Sequence, residues 1–306
     1  MARIVECVPN FSEGRRKNVI DAIADAIKSV DGVSFLDCES DASHNRSVMT
    51  FVGSPEAVLE SAFLSVKKAS ELIDLNTHTG EHPRIGAADV VPFIPIEGVT
   101  VEECVAMANA LAKRIAVELD IPVYLYEDAA TREDRRNLAN IRKGEYEKLK
   151  IEIETNPDRK PDYGAAKIHP TAGATVVGAR FPLIAYNVYL NTDNLDIAKA
   201  IAKKVRWKDG GLPHVKALGL FIKEKNLVQV SMNLTNFEIT GMHKAYEAVK
   251  EEAGKYGISI FSSEIVGLVP MRAIAQTAAH FLKLENFTTS QILENKITEA
   301  MKNDDS

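Results

Sequence analysis

The chain has 306 residues, of which 45% are hydrophobic and 26% are charged, and its formal net charge is −6. This length suits two domains of ordinary size, and the balance of apolar and charged residues is typical of globular proteins and excludes a disordered chain. The negative charge excludes a global positive field, so we expect no partnership with nucleic acid or with an anionic membrane surface.

The first half alternates strand-like and helical patterns. Apolar residues that recur every three to four positions predict helices, and short runs rich in β-branched and aromatic residues predict strands. Ser54-Pro55 predicts the cap and first turn of one helix, and the capping box that begins at Thr100 predicts another. The predicted elements are strands at 3–9, 33–37, 47–52, 90–96 and 122–126, and helices at 15–31, 54–73 and 101–115.

The segment from 156 to 173 is rich in proline and glycine and poor in large apolar residues. Such a composition predicts a linker. We therefore expect a first domain over 1–155, a linker over 156–173 that lines the cleft between the domains, and a second domain over 174–306. The charged residues 131–153, which precede the linker, are interpreted as a solvated helical excursion.

The second half repeats this alternation, with a β-hairpin that turns at Lys225-Asn226. Its predicted elements are strands at 175–178, 183–190, 215–223, 227–234 and 258–262, and helices at 194–205, at 241–256 and twice more towards the C-terminus. Both halves thus follow a loose β-α-β-β-α-β order. The expected fold class is α/β, in the α+β sense, with two ferredoxin-like domains whose helices lie mainly on one face of each sheet.

The spacing of the cysteines and the lack of a long apolar run bear on the cellular compartment of the protein. Cys7, Cys38 and Cys104 are odd in number and widely spaced, which suits neither a disulfide framework nor a zinc site. The N-terminus shows no secretory signal, and no stretch approaches the roughly 18 apolar residues of a membrane span. We expect a cytoplasmic protein with reduced thiols and no membrane contact.

The densest group of ionisable residues lies between His78 and Asp89. Pro83 biases the preceding His82 away from helical dihedral angles, and Gly80 weakens any helix before it, so a shaped loop is predicted. An imidazole with an ordinary pKa of about 6.5 is the natural proton acceptor and donor at neutral pH. His82 is therefore the candidate catalytic residue, and a surface loop with incidental histidines is the alternative.

The same stretch matches the inverted zinc-peptidase pattern H-x-x-E-H between His78 and His82. That pattern places two imidazoles on one face only when it forms a helix. Because Gly80 and Pro83 disfavour a helix here, we expect no metal site.

A second polar group lies at the predicted connection between two strands and includes Glu39 and Arg46. Part of it fits ordinary turn chemistry, because Asp, Ser and Asn favour turns. Arg46, however, begins a strand, and a guanidinium can bind a carboxylate through two parallel hydrogen bonds. Arg46 and Glu39 are therefore candidate substrate-binding residues, together with Arg84 beside His82.

Five sequence blocks stand out together: VECVPNFSEG, NRSVMTFVG, GEHPRIGAADVVPFIP, PVYLYEDAA and NLTNFEITGMH. They resemble the glutamate formimidoyltransferase family, also called the formiminotransferase family. The resemblance runs from about Ile4 to Leu284 and so covers nearly the whole chain. Several separate blocks match in the same order, which is far more specific than one short motif.

The resemblance implies an activity. Members transfer the formimidoyl group from N-formimidoyl-L-glutamate to nitrogen five of tetrahydrofolate, which gives 5-formimidoyltetrahydrofolate and L-glutamate in histidine degradation. The family's catalytic histidine, in the GEHPR block, falls on His82. Tetrahydrofolate is expected as the co-substrate, without a metal. We also expect a homodimer and a separate cyclodeaminase that acts on the product.

The family's folate-binding stretch falls on Gly164 to Gly173, within the predicted linker. Some relatives carry tryptophan where Ala172 stands, and often aspartate where Glu39 stands. The stretch comprises Gly164, Ala165, Ala166, Lys167, Ile168, His169, Pro170, Thr171, Ala172 and Gly173.

Two other functions remain open from the sequence. Formyl transfer, or salvage of 5-formyltetrahydrofolate, would use the same pocket with a different one-carbon group. A non-enzymatic folate-binding protein would keep the 164–173 stretch but would not need His82.

Overall fold

The computed structural model describes residues 2–304. They form two compact units, of which the first ends at Phe181 and the second begins at Pro182. In the described part of the chain, no helix combines the length and the apolar character that a membrane crossing requires.

The first unit is built around one mixed sheet. Its strands are β1 (Ile4–Cys7), β2 (Asn10–Phe11), β3 (Val33–Asp41), β4 (Arg46–Gly53), β5 (Ala88–Glu97), β6 (Val123–Glu127) and β7 (Thr175–Ala179). Its helices are α1 (Lys17–Lys28), α2 (Pro55–Leu72), α3 (Val101–Glu118), α4 (Leu138–Ile141) and α5 (Glu145–Glu152).

The strand order brings the two polar groups of the sequence to neighbouring strands. β1 and β2 lie between β4 and β5 and run antiparallel to both, and β3 pairs with the outer side of β4. On the other side of β5, β7 and then β6 run parallel to it. The start of β4, at Arg46, and the start of β5, at Ala88, therefore flank the short strand β2.

Local signals set the ends of the long helices. Ser54 accepts a hydrogen bond from the Ala57 amide and Pro55 occupies the first turn of α2. Thr100 and Glu103 form the predicted capping box at the start of α3. Helices α1 to α3 cover one face of the sheet, where Ile23, Phe51 and Phe93 are fully buried.

The other face of the sheet has its own smaller core. Tyr124 and Val176 pack there with Ile141, Leu149 and Ile153 of the segment that holds α4 and α5. The interpretation of 131–153 as a solvated excursion is therefore wrong. Ile141, Leu149 and Ile153 are widely spaced among charges but buried, whereas Ile151 is exposed.

The second unit has a four-stranded antiparallel sheet in the order β11-β8-β10-β9. The predicted hairpin is confirmed as β9 and β10, and Asn226 in its turn has a φ of 51°. Helices pack on the sheet around buried residues such as Val188, Val230 and Val249. The elements are β8 (Ile184–Leu190), β9 (Val215–Ile222), β10 (Leu227–Leu234), β11 (Ile260–Val266), α6 (Leu195–Val205), α7 (Met242–Gly254), α8 (Met271–Leu282) and α9 (Leu293–Asp304).

The mixed α/β class with two sheets is confirmed, while the ferredoxin-like detail stays a prediction. The units divide later than the sequence indicates, because β7 belongs to the first sheet and the 156–173 segment precedes it. Backbone hydrogen bonds tie that segment down: the Tyr163 amide donates to Val123 and the Ala87 amide donates to Ala172. Proline and glycine here shape an ordered path within the first unit.

Candidate active site

His82 lies in a non-helical loop between α2 and β5, which we call the histidine loop (residues 76–87). Bends and turns occupy this loop, as Gly80 and Pro83 predict, and His82 is half-buried. The H-x-x-E-H pattern therefore lacks the helix that a zinc peptidase needs. Within residues 2–304, no group of three or more His, Cys, Asp or Glu side chains could hold a metal ion.

His78 anchors the histidine loop through both of its ring nitrogens. Nε2 lies 3.0 Å from the Asn45 carbonyl oxygen, and the Arg84 Nε–H donates to Nδ1 over 3.1 Å. The neutral tautomer with hydrogen on Nε2 satisfies both contacts. Burial is the main cause that lowers the pKa of His78. His78 is therefore a structural residue of the loop.

Asn45 ties the histidine loop to the start of β4. Its side-chain amide donates to the Thr79 carbonyl over 2.9 Å, and its Oδ1 accepts from the Gly14 amide over 3.0 Å. Asn45 has a φ of 48°, a left-handed conformation that asparagine tolerates better than most residues. The loop is thus tied to its neighbours at its first half.

Arg84 ties the second half of the loop to α5. Its guanidinium donates to Glu145 and Glu147 and to the ring and the carbonyl of His78, in five hydrogen bonds of 2.6–3.4 Å. A guanidinium has five N–H donors, so none is left for a substrate. This arrangement favours a positioning role over the expected contact with a substrate carboxylate.

Arg46 opens β4 beside β2, and its Nε–H donates to the Asn10 Oδ1 over 2.8 Å. Burial lowers the pKa of the Arg46 guanidinium, and the charge of Arg142 adds to this effect. The carboxylates of Asp89, Glu39 and Asp41 act in the opposite direction. Arg46 and Glu39, both expected as substrate-binding residues, therefore lie in one electrostatic neighbourhood.

Asp89 and Arg142 form a buried ion pair at the start of β5. Asp89 is 1% exposed, and its Oδ1 accepts from the Ile85 amide over 2.7 Å. Its Oδ2 accepts from an Arg142 terminal nitrogen. Sequence analysis missed Arg142, which stands in a highly charged segment 53 residues from its partner. It also missed Asn10, which carries no local signal.

These charges determine the protonation state of His82. Burial is the largest effect, and the positive charges of Arg46 and Arg142 come next, followed by His44 and His78; together they lower the pKa of His82 to about 2. At neutral pH the imidazole is therefore uncharged and can accept a proton.

The 164–173 stretch ends against both sides of the histidine loop. The Leu75 amide, just before the loop, donates to the Thr171 carbonyl over 2.8 Å. The Ala87 amide, at the end of the loop, donates to the Ala172 carbonyl over 2.9 Å. Ala172 itself is buried in the core of the first unit, whereas most of 164–170 is exposed or half-buried.

Two protein-family models match the chain. The formiminotransferase domain, N-terminal subdomain, matches residues 4–180, and the formiminotransferase domain matches residues 185–303. These ranges meet close to the division between the two compact units.

Curated relatives match over nearly the whole chain. A glutamate formimidoyltransferase of Streptococcus pyogenes serotype M1 is 50% identical over 97% of this chain and 99% of its own length. One of Thermoplasma acidophilum is 51% identical over 97% of this chain and 98% of its own length. A formimidoyltransferase-cyclodeaminase of Rattus norvegicus is 46% identical over 93% of this chain, which spans 53% of that longer protein.

Proposed function

The chain belongs to the formiminotransferase family, and from that premise we propose that it acts as a glutamate formimidoyltransferase. It transfers the formimidoyl group from N-formimidoyl-L-glutamate to tetrahydrofolate, giving 5-formimidoyltetrahydrofolate and L-glutamate in histidine degradation. The observation that carries the chemical assignment is the neutral, half-buried His82 beside two arginines.

The reaction requires a proton acceptor and then a proton donor at one place. As nitrogen five of tetrahydrofolate attacks the amidine carbon, the new N–C bond forms and His82 accepts the proton that this nitrogen loses. His82 then returns a proton to the glutamate nitrogen as the bond from that nitrogen to the amidine carbon breaks. L-Glutamate leaves as the second product.

Arg46 binds a carboxylate of the donor, and Glu39 offsets the charge of Arg46. Arg84 holds the histidine loop in the conformation that presents His82. This division of roles follows from their partners, since Arg84 has all five N–H groups engaged, whereas Arg46 donates to Asn10 through its Nε–H. A docked anion also offsets the positive field on His82, which strengthens His82 as a base when the donor is bound.

The 164–173 stretch binds the folate. Its support is the pair of backbone bonds that place Thr171 and Ala172 at the two ends of the histidine loop. Ala172 offers the pteridine no aromatic ring, so stacking must come from another residue. The exposed part from Gly164 to Pro170 is then the part that contacts the ligand.

The protein acts as a cytoplasmic homodimer, and a separate cyclodeaminase uses its product. The match to nearly the whole length of the Streptococcus relative, whose name includes no cyclodeaminase, supports the second point. Sedimentation analysis of the purified protein tests the dimer.

One assay tests the proposed function. Purified protein is mixed with tetrahydrofolate and either N-formimidoyl-L-glutamate or N-formyl-L-glutamate, and L-glutamate release is followed with and without EDTA. We expect release from the formimidoyl donor at an unchanged rate in EDTA. Release only from the formyl donor would assign formyl transfer, and folate binding without release from either donor would assign a non-enzymatic folate-binding protein.

A further inference from the structure

Arg142 stands directly after α4, where the backbone fixes its position. Its amide donates to the Leu138 carbonyl over 3.0 Å, and its carbonyl accepts from the Glu145 amide over 2.8 Å. From this anchored point the side chain extends inwards, and only 13% of it is exposed. The structure therefore holds a guanidinium in the interior of a segment whose other charges lie mostly at the surface.

The guanidinium of Arg142 is only partly satisfied. One terminal nitrogen donates to Asp89, but the Nε–H is buried and has no hydrogen-bond partner. A buried donor without an acceptor costs free energy, and a donor on a charged group costs more. A ligand that brings an acceptor to this Nε–H would remove that cost.

The guanidiniums of Arg142 and Arg46 share one neighbourhood with the carboxylates of Asp89, Glu39 and Asp41. The charges of Arg142 and Arg46 both act on His82, and they also repel each other. Asp89 is the buried carboxylate that pairs with Arg142, and its other oxygen accepts from the Ile85 amide. Two guanidiniums beside one neutral imidazole form a site for an anion.

The chemistry of the two substrates identifies the anion, if the proposed function holds. In N-formimidoyl-L-glutamate, the reacting carbon is joined to a nitrogen whose neighbouring carbon carries the α-carboxylate. The carboxylates of tetrahydrofolate lie at the far end of the molecule from nitrogen five. A carboxylate site next to His82 therefore suits the α-carboxylate of the donor.

We propose that Arg142 is a second substrate-binding residue, whose Nε–H donates to the α-carboxylate of N-formimidoyl-L-glutamate while Arg46 holds the same group. This contact orients the amidine carbon against His82. Asp89 keeps the guanidinium in place and links it to the end of the histidine loop. The inference rests on the proposed function for the identity of the ligand, but not for the presence of a carboxylate site.

Arg142→Lys separates this role from the ion pair with Asp89, because lysine keeps the charge but lacks the Nε–H. We expect the KM for N-formimidoyl-L-glutamate to rise about 10- to 100-fold, the usual range for a lost charge-assisted hydrogen bond. The KM for tetrahydrofolate and the melting temperature should stay close to those of the wild type. Arg136→Lys, at a half-exposed arginine of the same segment, is the control and should change none of these values.

Two results would overturn the assignment. An unchanged KM for the donor would remove Arg142 from the site. An equal rise in KM for both substrates, together with a lower melting temperature, would show that Arg142 acts only as the structural partner of Asp89.

Binding of product analogues, measured by calorimetry, tests the site apart from catalysis. L-Glutamine keeps the α-carboxylate and lacks the γ-carboxylate, whereas 4-aminobutyrate lacks the α-carboxylate. Arg142→Lys should weaken the binding of L-glutamate and of L-glutamine by the same factor and leave the binding of 4-aminobutyrate unchanged. A loss confined to L-glutamate and 4-aminobutyrate would assign the γ-carboxylate and overturn the proposal, as would a wild-type protein that binds no L-glutamate.

The outcomes for the two hypotheses are distinct. A wild-type protein that binds L-glutamate through Arg142 but releases none from the formimidoyl donor would refute the proposed function and leave the carboxylate site in place. If the wild type is active and Arg142→Lys leaves the KM for the donor unchanged, the carboxylate site is refuted and the proposed function stands.

Discussion

The histidine loop and the 164–173 segment lie side by side in the first unit, and side chains provide more of the hydrogen bonds that hold the loop than of those that hold the segment. Side chains tie the histidine loop: Asn45 binds its first half and Arg84 its second. Backbone groups tie the end of the 164–173 segment, through Thr171 and Ala172. The comparison teaches that substitutions in the loop should affect catalysis first, whereas the segment should respond mainly to changes in backbone conformation.

The largest effect is expected at the catalytic residue of the loop. His82→Ala should lower kcat about 10²- to 10⁴-fold, the usual range for loss of a general acid–base, because the variant lacks the imidazole that moves the proton. The affinity for folate should change little, since the 164–173 segment is untouched. Glutamate release and folate binding measure the two quantities, and an undiminished kcat would remove His82 from the mechanism.

The next effect comes from the residue that fixes the loop. Arg84→Gln removes the contacts to Glu147 and weakens the one to His78, so His82 should shift and kcat should fall about 10- to 100-fold. Arg114→Gln, which breaks comparable ion pairs to Glu60 and Glu118 on distant helices, is the matched control. If both variants lose the same activity, the loss reflects general stability and the positioning role of Arg84 is wrong.

The segment is tested at its last glycine. Gly173 has a φ of 74°, and an added Cβ would lie 2.3 Å from the Ile85 carbonyl oxygen. Gly257 has a φ of 70° with open space around it, so Gly257→Ala measures the cost of the backbone conformation alone. We expect Gly257→Ala to cost about 1 kcal/mol of unfolding free energy and Gly173→Ala about 3 kcal/mol, by denaturant titration.

Equal costs in these two variants would show that the segment does not press against the histidine loop at Gly173. A larger cost for Gly173→Ala, accompanied by lower kcat, would show that the backbone of the segment supports the loop.

A smaller, local effect distinguishes a ligand-binding segment from a passive one. Amides of the exposed part, 164–170, should exchange hydrogen more slowly in saturating tetrahydrofolate, because a bound segment opens less often. The hairpin turn at Lys225-Asn226 in the second unit is the control and should not change. Fast exchange at 164–170 in saturating ligand would place the folate elsewhere.

Local signals predicted the parts of this fold that depend on neighbouring residues. Ser54 and Thr100 cap their helices as expected, and the residues around Asn226 form the predicted turn. Long-range pairing was not accessible in the same way: β7 joins β5 across more than 80 residues, so a segment rich in proline and glycine before it was taken for a linker.

The site shows the same division. The non-helical loop around His82 could be predicted because Gly80 and Pro83 shape it locally. The partners of Arg84 and Arg142 lie 53 to 63 residues away in the chain, so their roles follow only from the folded structure. An arginine among many charges gives no sign of which one turns inwards.

The central claim is that burial and two arginines lower the pKa of His82 in the free protein and that a carboxylate ligand raises this pKa, which makes His82 a stronger base. NMR titration of isotope-labelled histidine, with His82→Gln used to assign the signal, measures this directly. In the free protein the imidazole of His82 should stay neutral from pH 8 to pH 5, because burial, Arg46, Arg142, His44 and His78 all lower its pKa. Saturating L-glutamate should raise that pKa. A free-protein titration near pH 6.5 that L-glutamate does not shift would contradict the account.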